Sequence, residues 1–399
     1  MAICRPRWAG DVLSMMTTQS MGRGQFAAFD LTRVPSPCFV IDEVALENNL
    51  KTLKALADAS GADILLALKA FSMWSLAPLV NQYLSGTCAS GLWEARLARA
   101  HYGGQLTSFS PAYAPSDVDE IATLSDHMVF NSLNQVSRFE AQARKAGCEI
   151  GLRMNPEHSE GEVARYDPCT GGSRLGQPIS QLADASLDGI SGLHMHTLCE
   201  QGFAPLQRTI EAVTPFLHSK KGQFDWLNLG GGHLVTRADY DVDGLAACLR
   251  ALGDEFKVKT FLELGSAVAF DVGILVGEVL DVTDNDGPIA ILDISASCHM
   301  PDVIEAPYRP SLLGETGELE VKLAGPTCLA GDEIGRYHFA DRPQAGQRVA
   351  FLDQAHYSMV KTNTFNGMAL PAIAIWNSQT DALRIVREFD YSDFEGRLS

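Results

Sequence analysis

The stretch DILLALKAF, residues 63–71, decides the fold. Its apolar run from Ile64 to Leu68 has the length of one strand and contains no polar position, which is typical of a parallel strand covered on both faces. Lys69 follows directly, at the predicted carboxyl end of that strand. Because an unpaired buried ammonium costs several kcal/mol, a lysine there must reach water, meet a carboxylate or become neutral. From this stretch alone, a lysine that reaches water is the simplest interpretation.

The same strand-like pattern recurs along the chain. The further runs are GTCAS (86–90), LTSFS (106–110), HMVFN (127–131), IGLRMN (150–155), GLHMHT (192–197), WLNLGGG (226–232) and TFLELG (260–265). Most are separated by helix-like segments, and a similar unit precedes them: apolar residues recur at helical spacing between Asp42, a possible N-cap, and Gly61. Eight such units predict a (β/α)8 barrel rather than an open doubly wound sheet. The longest gap, residues 156–188, is predicted to be a loop at the active face.

The pattern changes near residue 271. Runs such as VGILVGEVLDV (272–282), ELEVKLAG (318–325) and QRVAFLDQ (347–354) are rich in β-formers and are separated by turn residues. The sequence therefore predicts an α/β protein with three parts. Residues 1–34 form a disordered tail, residues 35–270 form the barrel, and residues 271–399 form a second, all-β domain.

Composition narrows the class of ligand and the compartment. The chain has 31 basic and 49 acidic residues and therefore a net charge of −18. This charge argues against binding to nucleic acid or to anionic membrane surfaces and favours a cationic ligand. Solubility is the simpler reason for such a charge. No apolar stretch is long enough to span a membrane. Nine cysteines without CxxC pairs fit reduced thiols in the cytoplasm, and no motif with metal-ligand spacing is evident.

Reactive side chains in a barrel come from the carboxyl ends of its strands. Lys69 lies at one such end, and the glycines of LNLGGGH follow another, where exposed backbone N–H groups can hold a phosphate. Glu263 lies between apolar residues and needs a cationic partner. His194 and His196 point to the same side of their strand, without a third metal ligand in a suitable motif. An imine-forming lysine, a phosphate cradle and a carboxylate for a pyridinium together indicate a pyridoxal phosphate site.

Eight motifs resemble one known family. They are LLALKAF, SRLG, LHMHTLCEQG, LNLGGGH, CHMPDVIEAPYRP, GPTCLAGD, AHYSMVKTNTFNG and VREFDYSDF. They are similar to those of the carboxynorspermidine (carboxyspermidine) decarboxylases, which are fold type III pyridoxal phosphate enzymes like alanine racemase, ornithine decarboxylase and diaminopimelate decarboxylase. The resemblance covers roughly residues 35–397. It implies a cytoplasmic enzyme of polyamine biosynthesis that uses pyridoxal 5'-phosphate to convert carboxynorspermidine or carboxyspermidine into norspermidine or spermidine.

The resemblance also assigns residues. The cofactor-binding residues that it implies are Lys69, Arg174, His196, Gly230, Gly231, Gly232, Glu263, Gly265 and Tyr357. The substrate-binding residues that it implies are Ser266, Asp302, Glu305 and Asp332. Lys69 would bind the cofactor as an imine, and Glu263 would pair with the pyridine nitrogen, where the racemase branch has an arginine. Cys328 would protonate the product carbon from the second subunit of a homodimer.

One departure from the family pattern concerns the substrate. The family usually has Glu-Pro-Gly-Glu-Ala where this chain has ELGSA, residues 263–267. Ser266 thus replaces a carboxylate, a loss of roughly 1.5 to 3 kcal/mol if that group binds a cation. Other interpretations stay open: a decarboxylase of diaminopimelate, ornithine or arginine, a non-catalytic cofactor-binding protein, or a barrel scaffold without cofactor.

Overall fold

The structure is a computed structural model that describes residues 24–158, 160–161 and 166–399. The described residues form seventeen strands: β1 (Cys38–Asp42), β2 (Asp63–Ala67), β3 (Gly86–Ala89), β4 (Gln105–Phe109), β5 (His127–Phe130), β6 (Glu149–Asn155), β7 (Gln177–Pro178), β8 (Gly192–His194), β9 (Trp226–Asn228), β10 (Lys259–Leu264), β11 (Gly273–Asp284), β12 (Pro288–Leu292), β13 (Leu319–Ala324), β14 (Glu333–Phe339), β15 (Arg348–Leu352), β16 (Ala372–Trp376) and β17 (Leu383–Arg387). They also form twelve α-helices: α1 (Glu43–Ser60), α2 (Ala77–Val80), α3 (Leu92–His101), α4 (Val118–Leu124), α5 (Leu133–Ala146), α6 (Ile179–Leu182), α7 (Phe203–Ser219), α8 (Val242–Phe256), α9 (Ser266–Ala269), α10 (Ala296–His299), α11 (Asp302–Glu305) and α12 (Tyr391–Glu395). The chain divides into two compact units, one of residues 47–268 and one that joins the residues up to Leu46 with Ala269–Ser399.

The unit of residues 47–268 is a closed barrel. Its eight parallel strands follow the order β5-β4-β3-β2-β10-β9-β8-β6, and β5 pairs with β6 to close the ring. Each of the eight predicted runs overlaps one of these strands, so the barrel prediction is confirmed. Strand β2 has four consecutive buried residues after Asp63, as a strand covered on both faces requires.

The amino-terminal end of the barrel interior is filled by an aromatic layer. Trp226 packs with Leu65, Val129 and Phe261, and its ring stacks on His127 with centroids 4.4 Å apart. A Cβ atom at Gly192 would lie 1.9 Å from the Trp226 ring, so only glycine leaves room for the indole. This end is therefore packed shut, as is usual for such barrels, and the chemistry is left to the other end.

The predicted helices flank these strands with small differences. Helix α1 begins after Asp42, whose Oδ1 accepts from the Val44 N–H at 3.1 Å, and it ends before Gly61, which has a positive φ of 75°. One of the helix-like segments between the predicted strands, SLAPLVNQYL (75–84), forms only part of the 3-10 turn Trp74–Leu76 and the single turn α2. The described part of the 156–188 gap contains only β7 and α6, in keeping with a predicted loop.

The second unit contains a mixed sheet. Its order is β14-β13-β12-β11-β1-β16-β17, with β15 also paired to β11; β1–β16 and β12–β13 are parallel. The second domain is thus present, and short helices α10 to α12 accompany its strands. The sequence analysis placed β1 in the barrel, whereas the strand lies between β11 and β16. All five of its residues are buried, and such an apolar run does not specify which sheet it joins.

The predicted tail also differs from the structure in part. Residues 1–23 of that prediction lie outside the described residues. From Gly24 onward, 3-10 turns at Gln25–Ala28 and Leu31–Arg33 bring Phe26 and Phe29 against Trp376, with ring centroids 5.5 and 5.0 Å apart. Both phenylalanines are buried, so this segment is part of the second unit's core.

Within the described ranges, no helix has both the length and the apolar composition needed to cross a membrane. The eight cysteines of those ranges are free thiols. No group of three or more His, Cys, Asp or Glu side chains there is arranged to hold a metal ion.

Candidate active site

Lys69 lies at the carboxyl end of the barrel, as the sequence predicted. Strand β2 ends at Ala67, and the chain turns there because the N–H of Ala70 donates to the Ala67 carbonyl at 3.0 Å. Leu68 and Ala70 are buried, whereas Lys69 is exposed. The turn therefore directs one amine out of the strand end while its neighbours remain in the core.

Glu263 on β10 is a buried carboxylate with two donors. Its Oε1 accepts from the Asn228 side chain at 2.8 Å, and its Oε2 lies 3.2 Å from His194 Nε2. Burial alone would raise the pKa of Glu263, but His194, the Lys69 ammonium and Asn228 together outweigh burial and lower the pKa to about 2. The carboxylate is therefore ionised at every physiological pH. A carboxylate has about four acceptor positions, so two remain for a further donor.

His194 belongs to the support of that carboxylate. Burial lowers the pKa of His194, so the neutral ring donates from Nε2 to Glu263. Its ring stacks on Phe109 with the ring centroids 5.5 Å apart, and the Arg153 guanidinium lies over the Phe109 ring, 4.6 Å from its centroid. This stack fixes the orientation of His194 and, through it, of Glu263.

His196 lies two residues further along and has a different role. Its Nδ1 accepts from the Gly231 N–H at 3.0 Å, which fixes the ring plane. Burial and the nearby Lys69 ammonium hold the pKa of His196 well below its usual range. The ring is thus a neutral, oriented imidazole, which suits stacking on an aromatic cofactor better than acid catalysis.

The three glycines after β9 are required by close backbone approach. A Cβ at Gly231 would lie 2.0 Å from the Glu263 carbonyl oxygen, and one at Gly232 would lie 1.9 Å from the Leu198 carbonyl oxygen. Gly230 and Gly232 also have positive φ angles of 67° and 86°. The segment is therefore a turn with a fixed backbone conformation rather than a flexible one. The N–H groups of Gly230 and Gly231 are already bonded within the barrel, so the phosphate role of this turn stays a prediction.

Gly265 and Ser266 end the neighbouring strand. A Cβ at Gly265 would lie 2.5 Å from the Ala70 Cβ, so this glycine brings the end of β10 close to the turn that carries Lys69. Ser266 is half-buried and begins α9. The two residues thus lie beside the predicted cofactor lysine, within one unit.

Two polar residues of this site were missed by sequence reasoning. Asn228 is fully buried, donates to Glu263 and accepts from the Gly230 N–H at 2.9 Å, so it links the carboxylate to the glycine turn. Cys88 on β3 is the second: burial and the nearby Glu263 charge raise the pKa of its thiol well above the usual value. The signal available for Asn228 was an asparagine in the middle of the apolar run WLNLGGG. The signal available for Cys88 was its position near the end of the predicted strand GTCAS.

Arg174 lies on the loop after β6. The Asn131 side chain holds that loop twice: its Nδ2 donates to the Arg174 carbonyl at 2.8 Å, and its Oδ1 accepts from the Gly176 N–H at 2.7 Å. The Arg174 side chain is exposed, and its charge contributes to lowering the pKa of buried Arg153, after burial, to about 10. Its cofactor role stays a prediction.

The remaining predicted residues belong to the second unit. Tyr357 has a positive φ of 53°, an unusual backbone conformation for a tyrosine. Asp302 and Glu305, at the two ends of α11, both accept from the Lys361 ammonium at 2.6 Å. These assignments stay predictions, and the contact with Lys361 was not foreseen.

Cys328 and Asp332 lie in the loop between β13 and β14. The Cys328 side chain is exposed, whereas Asp332 is buried and hydrogen-bonded within the unit. The role of Cys328 in protonation stays a prediction, and so does that of Asp332 in substrate binding.

The barrel residues fit pyridoxal 5'-phosphate. The aldehyde of this cofactor needs an accessible amine, and its ring nitrogen needs an ionised carboxylate. The face of its ring needs a flat neutral partner, and its phosphate needs a turn without side chains. Lys69, Glu263 and His196 supply the first three of these groups in one unit, and the turn of residues 230–232 in the same unit is the predicted phosphate site.

Comparison with known proteins agrees with this geometry. Residues 38–355 match the family model described as "Pyridoxal-dependent decarboxylase, C-terminal sheet domain". The carboxynorspermidine/carboxyspermidine decarboxylase of Campylobacter jejuni is 37% identical and covers 92% of this chain and 99% of its own length. The carboxyaminopropylagmatine decarboxylase of Synechocystis is 38% identical over 92% of this chain and 96% of its own length.

A solved structure extends the similarity to the fold. The crystal structure of carboxynorspermidine decarboxylase from Campylobacter jejuni, complexed with norspermidine, is 36% identical and covers 91% of this chain and all of that one, with a TM-score of 0.85. By its barrel, its lysine and carboxylate pair and these matches, the chain belongs to the pyridoxal-dependent decarboxylases.

Proposed function

We propose that this chain removes the α-carboxylate of carboxynorspermidine or carboxyspermidine and yields norspermidine or spermidine. The observation that carries the choice of substrate is the 37% identity, over nearly the whole chain, to a relative with that activity in its name. The solved structure of carboxynorspermidine decarboxylase from the same organism, complexed with norspermidine and matching this chain with a TM-score of 0.85, supports it. The net charge of −18 suits a polycationic substrate.

The barrel residues account for the cofactor's part. When bound, pyridoxal 5'-phosphate withdraws the electron pair that remains on the α-carbon after CO2 departs. Glu263, ionised because its pKa is about 2, holds a proton on the ring nitrogen. His196 covers the ring, and the turn of residues 230–232 holds the phosphate. Lys69 anchors the cofactor and can carry a proton at Nζ.

Arg174 and Ser266 of the barrel unit and four residues of the second unit have the remaining roles in this proposal. Cys328 gives the proton to the product carbon, and Tyr357 and Arg174 assist in holding the cofactor. Asp302, Glu305 and Ser266 meet the amines of the substrate. Cys328 would reach the site from a second copy of the chain, so the proposed assembly is a homodimer, placed in the cytoplasm.

A second candidate substrate is carboxyaminopropylagmatine. The observation in its favour is the Synechocystis relative, which is as similar to this chain as the Campylobacter one. That substrate ends in a guanidinium rather than an ammonium, so the two activities need different geometry around the distal cation.

CO2 release from the purified holoenzyme tests the choice. We expect carboxynorspermidine or carboxyspermidine to be the best substrate. Faster release from carboxyaminopropylagmatine, diaminopimelate, ornithine or arginine would replace our proposal. Bound cofactor without any release would indicate a non-catalytic protein. Lys69→Ala should abolish release, and Lys54→Ala, which removes an exposed lysine paired with Asp58, should not.

Subunit mixing tests the homodimer. Lys69→Ala and Cys328→Ala proteins are each expected to be nearly inactive. After exchange of subunits, mixed dimers would contain one intact site, so roughly a quarter of the wild-type activity should return. If no activity returns although exchange is shown by mass, the shared site is wrong.

A further inference from the structure

The loop from Gly325 to Asp332 carries Cys328 and is closed on itself. The Gly325 N–H donates to the Asp332 carbonyl at 2.8 Å, and the Asp332 N–H donates to the Leu329 carbonyl at 2.9 Å. A Cβ at Gly325 would lie 2.2 Å from Asp332 Oδ2, so the carboxylate packs directly on the loop's first residue. Cys328 is thus presented to solvent on a short loop with little freedom.

The Asp332 carboxylate is the buried centre of this loop. Its Oδ1 accepts from the Ser295 hydroxyl at 2.9 Å and from the Ser297 N–H at 3.2 Å. Its Oδ2 accepts from the Thr327 hydroxyl at 2.6 Å and from the Thr327 N–H at 3.4 Å. Thr327 directly precedes Cys328, whereas Ser295 and Ser297 belong to the segment around α10. The carboxylate therefore ties the residue before the cysteine to a second element.

These contacts leave no acceptor for a substrate. A carboxylate offers about four lone-pair positions, and four donors from this chain fill them. Asp332 is also only 3% exposed. A substrate ammonium would have to displace a donor that the loop needs, which would leave that donor unpaired in the interior.

We propose that Asp332 is a positioning residue that holds the Cys328 thiol for protonation of the product carbon, rather than a substrate-binding residue. This inference rests on the proposed function, in which the electron pair of the broken C–C bond stays on carbon. The Cys328 S–H bond breaks, a C–H bond forms with that pair, and the thiolate regains a proton from water.

The test uses the holoenzyme and Asp332→Asn. Because the amide presents donors to Thr327, the loop should loosen, and kcat should fall roughly tenfold or more while KM stays within about twofold. In a Cys328→Ala background the same substitution should cause no further loss, since the two residues act as one unit. Asp341→Asn, which changes an exposed carboxylate of the same unit, is the matched control and should leave kcat unchanged.

A milder variant guards against a folding defect. Thr327→Val keeps the side-chain shape and removes only the hydroxyl donor, so it should lower kcat by a smaller factor in the same direction. The rate of Cys328 alkylation by iodoacetamide, measured by peptide mass, should change by roughly threefold or more in both variants. This readout does not depend on turnover.

Three results would overturn the inference. A large rise in KM with an unchanged kcat would make Asp332 a substrate-binding residue. Losses that multiply in the Asp332→Asn, Cys328→Ala double variant would show that Asp332 acts independently of the thiol. Full activity of Cys328→Ala would refute the role of Cys328 as proton donor and, with it, this inference. The proposed decarboxylase activity, measured as CO2 release, would not be affected by that result.

Discussion

Replacing Glu263 with glutamine removes one charge from the barrel interior and keeps the side chain's size. The pKa of Glu263 lies at about 2, against 4.5 for the unperturbed group, because His194, Lys69 and Asn228 outweigh the effect of burial. A carboxyl group whose pKa is lower in the folded than in the unfolded state stabilises the folded protein. This contribution is fully present at a pH above the pKa of the unfolded state, and it is lost as the pH falls through the pKa of the folded state. At 1.36 kcal/mol per pKa unit, that contribution is about 3 kcal/mol at pH 7.

The expected result is therefore a pH-dependent difference between the two proteins. Glu263→Gln should lower the free energy of unfolding of the cofactor-free barrel by about 3 kcal/mol at pH 7 and by about 1 kcal/mol near pH 3. Protonated Glu263 and glutamine each present one acceptor and one donor to Asn228 and His194, so the two proteins converge in acid. In the holoenzyme, the same substitution should also lower kcat, because the ring nitrogen loses its anionic partner.

Hydrogen exchange on peptides from β9 and β10 measures this difference, because it reports the opening of the barrel separately from the second unit. Glu120→Gln is the control: Glu120 pairs with Arg96 on the surface, and its removal should change barrel stability little. Equal stability of wild type and Glu263→Gln at pH 7, or a difference that grows as pH falls, would refute the electrostatic account of Glu263.

Three further predictions concern single contacts. Gly231→Ala places a methyl group 2.0 Å from the Glu263 carbonyl oxygen and should weaken retention of pyridoxal 5'-phosphate by roughly tenfold or more, measured by equilibrium dialysis. Lys361→Met removes the ammonium that competes for two carboxylates, so the KM for a carboxylated polyamine should fall several fold in steady-state assays. Phe29→Ala removes a buried ring from Trp376 and should lower the unfolding free energy of the second unit by about 3 to 5 kcal/mol in urea titrations.

Each of these has a matched control. Gly171→Ala adds a methyl group where no atom lies within 4 Å, and cofactor retention should not change. Lys322→Met breaks an ion pair with Glu333 in the same unit and should leave KM unchanged; a higher KM in Lys361→Met would contradict the competition argument. Tyr391→Ala removes a ring that is 69% exposed, and a loss as large as that of Phe29→Ala would show that burial is not the cause.

The barrel, and the position of the predicted cofactor residues at its strand ends, were accessible to sequence reasoning because their signals are local. Each apolar run is followed by polar or glycine residues, and Lys69, Glu263 and the glycines after β9 all lie at such ends. The partner of β1 was not accessible, because a fully buried strand has the same pattern in either sheet. The contact of Lys361 with Asp302 joins residues 59 positions apart, and that of Ser295 with Asp332 joins residues 37 apart. No spacing rule predicts such pairs. Only these contacts distinguish a carboxylate that can bind a substrate from one whose acceptor positions are already filled by donors of the same chain.

The place of β1 in the second sheet has a consequence for synthesis on the ribosome. This strand emerges before the barrel strands, yet its antiparallel neighbour β11 follows about 230 residues later and its parallel neighbour β16 later still. At roughly 5 to 20 residues per second, translation leaves β1 without either partner for on the order of 10 to 50 s. The barrel can be complete before then. A nascent chain thus carries β1 as an unpaired apolar segment on the amino-terminal side of a folded barrel. A chaperone or a neighbouring nascent chain can bind this segment before β11 and β16 are synthesised.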